Sequence, residues 1–141
     1  MASKKLHTGQ SGDSTIDAQH DALIVRSRRL LAATDQTMLT LCAMDLYQHI
    51  REHFADEERL MRKLKYPGLK AHVDQHQGLI LKLNAMVKNL SIEPNKNVAW
   101  SSFISDLTRN HIDTYDELLS AFLKQRKAVI TQDPPKSLIA Q

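Results

Sequence analysis

Cysteine is nearly absent from this chain: Cys42 is the only one in 141 residues. That excludes an internal disulfide and fits a reducing compartment. Four glycines and four prolines leave long stretches uninterrupted, so extended helices are open to it. Aromatic residues make up only 5%, and no run of alternating β-branched residues occurs, which argues against a sandwich or barrel. No apolar run is long enough to cross a bilayer. Met1 to Asp13 is polar and lacks the apolar core of a secretion signal, so the expected location is the cytoplasm. A dominant charge is missing too. The formal net charge is +3, with basic residues spread among acidic ones, which reads as solvated helix faces rather than a nucleic-acid groove.

What is present is an ordinary apolar content of 42% with 25% charged residues, enough for one domain with a real core. Four amphipathic segments can be traced. The first is capped by Asp13 or Ser14 and runs to about Ala33, with the inner stripe Ile16, His20, Leu23, Ser27, Leu30. The second runs from about Thr37 to Lys65, with the stripe Leu39, Cys42, Leu46, His49, His53, Glu57, Leu60, Leu64. Tyr66-Pro67-Gly68 ends it, because proline disfavours helix at the residue before it. The third, about Leu69 to Leu90, carries His72, His76, Leu79, Leu83 and Met86. After a turn at Pro94 and Asn95, the fourth runs from about Asn97 to Ala128 with Trp100, Phe103, Ile104, Leu107 and His111. The expected fold is all-α: an up-down-up-down antiparallel four-helix bundle over residues 14–128. Residues 1–13 form an N-terminal arm and 129–141 a C-terminal tail.

Seven polar residues sit on these apolar stripes: His20, His53, Glu57, His72, His76, His111 and Asp116. Burying titratable groups unpaired costs several kcal/mol each, and metal ions in the bundle centre are the simplest remedy. His53 and Glu57 are four apart, as are His72 and His76, so each pair lies on one helix face. Each pair alone is a weak signal. The zinc-protease pattern His-Glu-x-x-His is absent, since Val73 follows His72, and so is the Glu-x-x-His repeat of ferritin-like di-iron proteins. Together, five imidazoles and two carboxylates exceed the closed tetrahedral site of a structural zinc. They are too nitrogen-rich for calcium or magnesium. Imidazole with carboxylate suits iron, and a bundle core suits two.

The set resembles the hemerythrin family, and within it the single-domain bacterial form. The matching stretches are Ile16-Asp17-Ala18-Gln19-His20, His53-Phe54-Ala55-Asp56-Glu57-Glu58-Arg59-Leu60-Met61, Tyr66-Pro67-Gly68 with His72 and His76, and His111-Ile112 with Asp116. The resemblance covers about Gly12 to Lys127. It implies a non-haem di-iron centre with a bridging oxo or hydroxo group that binds dioxygen reversibly, for oxygen carriage, storage, delivery or sensing. On that reading Glu57 and Asp116 bridge the irons. His72, His76 and His111 ligate one, and His20 and His53 the other, which keeps an open position for a diatomic ligand. Nitric oxide, peroxide and azide-like anions are further candidate ligands, and a partner protein would accept oxygen or transfer electrons. The alternatives are a di-iron enzyme that reduces peroxide or nitric oxide, or an iron storage or sensing protein.

One spacing is irregular. His111 and Asp116 are five apart, about 140° off one face of an ideal α-helix, which predicts a π-type widening between them. Past it, Leu118 and Phe122 fit an undisturbed helix, while Leu119 and Leu123 fit a shifted one. The arm up to Thr15 has no Phe, Tyr or Trp with which to cover a site. Where the family commonly has Trp-Leu before the last histidine, this chain has Leu107-Thr108. Thr108 could face a bound ligand or bond back to its own helix. Candidates for the pocket wall, or for orienting the ligands, are Asp17, His49, Phe54, Leu79, Leu107, Thr108 and Ile112. His49 is expected to be a hydrogen-bonded interior histidine, and Glu58 to face solvent or pair with Arg62.

Overall fold

In the computed structural model, residues 14–92 and 96–132 are described, with side chains over 16–92 and 96–126. The expected arm (1–13) and the Pro94-Asn95 turn lie outside the described residues, as does most of the expected tail. The chain forms α1 (Ser14–Leu31), α2 (Gln36–Lys63) and α3 (Leu69–Lys88). A fourth rod follows, made of α4 (Lys96–Ser105), a π-helical segment (Asp106–Asp116) and α5 (Glu117–Gln132). Helical backbone at both joins, Ser105 and Glu117, keeps this rod continuous. It ends at Gln132, four residues beyond the sequence-based limit. Among the described residues there is no strand, and the four helical rods form the bundle.

Local chemistry sets the helix ends. Asp35 caps α2, with its side chain accepting a hydrogen bond from the Met38 amide at 2.8 Å. This satisfies one of the free donors of the first turn. At the other end the Tyr66 amide bonds Met61 O and the Lys65 amide bonds Arg62 O. That is a Schellman closure, with Lys65 in the left-handed region at φ 54°, a place usually given to glycine. The Tyr66 ring then lies over Gly68, where a Cβ would come within 2.8 Å of it, and packs edge-on against Phe122 of α5.

The core is divided along the bundle axis. Leu23, Leu30, Leu39, Leu46, Ile50, Leu83, Trp100 and Phe103 fill one end as a continuous apolar cluster. Toward the other end the inner stripes turn polar. The α1 stripe is buried as expected. On α2 the buried line is Leu39, Ala43, Leu46, Ile50, His53, Phe54, Glu57, Met61, so Ala43 and Ile50 hold the places the sequence reading gave to Cys42 and His49. Leu39, Leu46 and His53 are buried as expected, but the steps between them run four then three, not three then four, so each intermediate position was read one residue early, on the flank. Among the described residues no helix is long and apolar enough to cross a membrane.

Candidate metal centre

Four rods bring seven ligand-type side chains to one point. His20 comes from the second turn of α1, His53 and Glu57 from α2, and His72 and His76 from the start of α3. His111 and Asp116 come from the π-helical segment. There the five-residue ring of π hydrogen bonding brings side chains five apart toward a common face, as the 111/116 spacing demanded. The phase shift carries into α5, where Leu119 is 1% exposed and Leu118 58%. All seven are at most 4% exposed.

The two oxygens of each carboxylate face different imidazoles. Glu57 Oε1 lies 3.2 Å from His72, 3.0 Å from His76 and 3.6 Å from His111 Nε2. Its Oε2 lies 3.4 Å from His53 and 3.8 Å from His20. Asp116 divides the same way, with Oδ1 2.9 Å from His72 and 3.1 Å from His111. Its Oδ2 is 2.8 Å from His20 and 3.6 Å from His53. Two donor groups result: Glu57, His72, His76, His111 and Asp116, and the smaller set His20, His53, Glu57 and Asp116. Both carboxylates belong to both groups.

The contacts of His20 with Asp116 and of His76 with Glu57 are aimed as hydrogen bonds, but others are close and poorly aimed. His53 Nε2, His72 Nε2, Glu57 Oε2 and Asp116 Oδ1 are buried without a hydrogen-bond partner, although His72 Nε2 and Asp116 Oδ1 are 2.9 Å apart. Unsatisfied buried groups of this kind cost about 1–3 kcal/mol each, and a cation placed between them removes that cost. The facing nitrogens of His76 and His111 make the same point. They are 3.1 Å apart, and both rings direct Nδ1 outward, to Glu58 Oε2 at 2.7 Å and Gln75 Oε1 at 2.8 Å. Two inward lone pairs at that distance repel unless a proton or a cation lies between them. Donors about 2.1 Å from a shared ion, at right angles to one another, stand about 3 Å apart. The residues present therefore fit a metal.

An outer layer fixes the rings. His53 Nδ1 meets Gln19 Oε1 at 3.0 Å, and the Gln19 amide donates to Asp56. Because Asp56 only accepts, the Gln19 oxygen must face His53, so His53 carries its proton on Nδ1 and turns Nε2 inward. Asp56 in turn pairs with Arg59. Sequence reasoning missed Gln19 and Gln75 and gave Glu58 to solvent and Arg62. Glu58 does lie 3.6 Å from Arg62, but its other oxygen holds His76. A signal was available: each of the three is next in sequence to a ligand. A neighbour lies 100° around the helix, where it reaches the ligand of the adjacent helix.

The electrostatics are those of a tightly coupled cluster. Burial pushes the His53 imidazole down, but the Glu57 charge and bonds to Asp116 and Glu57 outweigh it and raise it to about 10. The same opposition raises His72 to about 9 and lifts His20 and His111. Burial wins at His76, which is lowered, with the His111 charge adding to it. Burial works against the charged forms of Glu57 and Asp116, yet the surrounding imidazoles hold both well below the usual carboxylate range.

Of the other candidates, Phe54 stacks on His76 with ring centroids 3.8 Å apart. Leu79, Leu107 and Ile112 are buried. Thr108 bonds back to its own helix, with Oγ1 donating to Ile104 O at 2.9 Å. Asp17 stands half-buried in the first turn of α1. His49 is a correction: its side chain is 33% exposed and its nearest carboxylate partner is Asp45, at 3.6 Å. It is a flank residue of α2, one position before the buried Ile50.

Among curated proteins, the chain is similar to bacteriohemerythrins of Campylobacter jejuni subsp. jejuni serotypes O:6 and O:2. Each is 29% identical over 76 residues, covering 51% of this chain and 57% of the relative. The chain thus spans little more than half the length of these relatives. No solved structure matches it significantly. The family model described as the hemerythrin HHE cation binding domain matches residues 11–123. That range takes in all seven cluster residues and, apart from the end of α5, the four rods that carry them, and the chain belongs to the hemerythrin family.

Proposed function

We propose that the chain binds dioxygen reversibly at two non-haem irons joined by a solvent-derived oxo or hydroxo bridge. Glu57 and Asp116 would hold both ions, His72, His76 and His111 one of them, and His20 and His53 the other. The observation that carries this reading is the division of each carboxylate between two unequal donor groups. Five protein donors and a bridge fill an octahedral ion, whereas four and a bridge leave a position open. When bound, the irons supply the electrons and that coordination position. The bacteriohemerythrin relatives and the cation-binding family support the same class of centre.

The protein's own residues keep the site dry and poor in protons. Glu57, His53 and His111 are fully buried, and Met61, Leu107 and Ile112, within four residues of them in sequence, are buried apolar residues of the same rods. The Thr108 hydroxyl hydrogen is committed to Ile104 O, and His49 points to the flank. Each imidazole with a defined outer partner donates its Nδ1 proton away from the centre, so the inward atoms are acceptors. Such a pocket favours release of bound oxygen over its protonation and loss.

Anaerobic loading with ferrous iron followed by oxygen titration tests the proposal. The expected result is two irons per chain, one dioxygen per iron pair, and a visible charge-transfer band that disappears under argon over repeated cycles. A band that bleaches at once while peroxide or nitric oxide is consumed would make the chain an enzyme. Weak, freely exchanging iron would make it a storage or iron-sensing protein.

A further inference from the structure

We infer that Glu58 is a positioning residue that makes His76 a stronger imidazole donor than His111 or His53. The inference rests on the metal-binding reading above and deepens it. Three ligand imidazoles have a defined partner on their outward nitrogen, and the partners differ in charge. His111 meets the neutral amide oxygen of Gln75. His53 meets that of Gln19 and reaches a carboxylate, Asp56, only through it. His76 alone among the three meets a carboxylate directly, at 2.7 Å.

A hydrogen bond to a carboxylate is roughly twice as strong as one to an amide. It pulls the Nδ1 proton outward and raises the basicity of the nitrogen that faces the metal. Glu58 is well placed for this. Its Oε1 is turned toward Arg62, at 3.6 Å, which leaves Oε2 for His76. Phe54 lies flat on the His76 ring, with an interplanar angle of 5°, so face and edge of the imidazole are both fixed. Phe54, Glu58 and His76 share one wall of a cavity of about 480 Å³. Glu58 stands at its wet rim, with 21% of its side chain exposed, while the His76 side chain is 2% exposed. The charge that tunes the donor thus sits where solvent reaches it, and the donor does not. An ion held by His76 would be enriched in electron density relative to one held through Gln19 and His53, and its oxidised state favoured.

Glu58→Gln tests this, because it keeps size and an acceptor oxygen and makes His76 resemble His111. Gln75→Glu is the converse, placing a carboxylate on His111. Cobalt(II) uptake in competition with a chelator, and the midpoint potential of the iron-loaded chain, are the readouts. Glu58→Gln should still load fully, with affinity weakened roughly tenfold and a more positive potential. Gln75→Glu should move the potential the other way. Potentials and affinities equal to those of the unaltered chain in both variants would overturn the inference, and so would shifts of the same sign. Should Glu58→Gln fail to fold, the Gln75→Glu shift decides alone. An unaltered chain that takes up no cobalt would instead overturn the metal reading, and this inference with it.

Discussion

Helix α2 and the π-helical segment deliver the same ligand pair, an imidazole followed by a carboxylate, by different backbone routes. In α2, His53 and Glu57 are four apart on a regular helix. In the fourth rod, His111 and Asp116 are five apart, and eleven residues of backbone are π-helical. An ordinary α turn needs nothing from a metal, whereas a long π stretch is uncommon and tends to mark functional sites. The difference teaches that α2 is shaped by its own packing, while the π segment is shaped by what it must hold. It also places the two carboxylates so that each faces both donor groups.

The largest expected effect is that of metal itself. Loading should stabilise the chain by about 4 kcal/mol when free metal is a thousandfold above its dissociation constant. Amide hydrogen exchange should then slow more in 106–116 than in 50–61. Equal protection of the two would break the comparison. Next come the ligands. Asp116→Ala removes a donor from both groups, so metal content should fall below one ion per chain. His72→Ala removes one from a single group and should leave one ion bound. Metal analysis after gel filtration distinguishes the two.

The effect of pH on the stripped chain is smaller. His53 and His72 are raised to about 10 and about 9. Their stabilisation is full below about pH 6.5 and is lost as pH rises through 9 to 10. Glu57 and Asp116 are lowered, so theirs is present above about pH 4 and is lost as pH falls below it. Thermal unfolding should show both limbs, and metal loading should remove the alkaline one, because coordinated imidazoles are already deprotonated at Nε2. An alkaline limb that persists in the loaded chain would contradict this. Smallest are two substitutions outside the donor set. Thr108→Val removes one hydrogen bond within the rod, worth about 1 kcal/mol, and should leave the oxidation rate of the ferrous form within about twofold. His49→Gln should change neither metal content nor oxidation.

Much of this was legible in the sequence, for identifiable reasons. Caps, breakers and apolar spacing gave the four rods, and the 111/116 spacing gave the π segment, because five residues cannot share a face of an α-helix. The same arithmetic misled at His49, because residues three and four beyond Leu46 are both near one face and the chain buries the fourth, Ile50. Glu58, Gln19 and Gln75 escaped because each serves an imidazole on another helix, and a stripe describes only one helix at a time. The cap Asp35 escaped because the second segment was traced only from about Thr37, and a cap lies just outside its helix. The division of carboxylate oxygens was implied only by family resemblance, since spacing places a side chain on a face but does not say where its two oxygens point.

The central claim is that each carboxylate is shared between two ions with unequal imidazole sets. Anomalous diffraction at the iron edge from iron-loaded crystals tests it most directly. The account predicts two iron peaks, one within bonding distance of His72, His76 and His111 and the other of His20 and His53, with Glu57 and Asp116 touching both. A single peak, or two peaks of which either lacks one of the carboxylates, would contradict it.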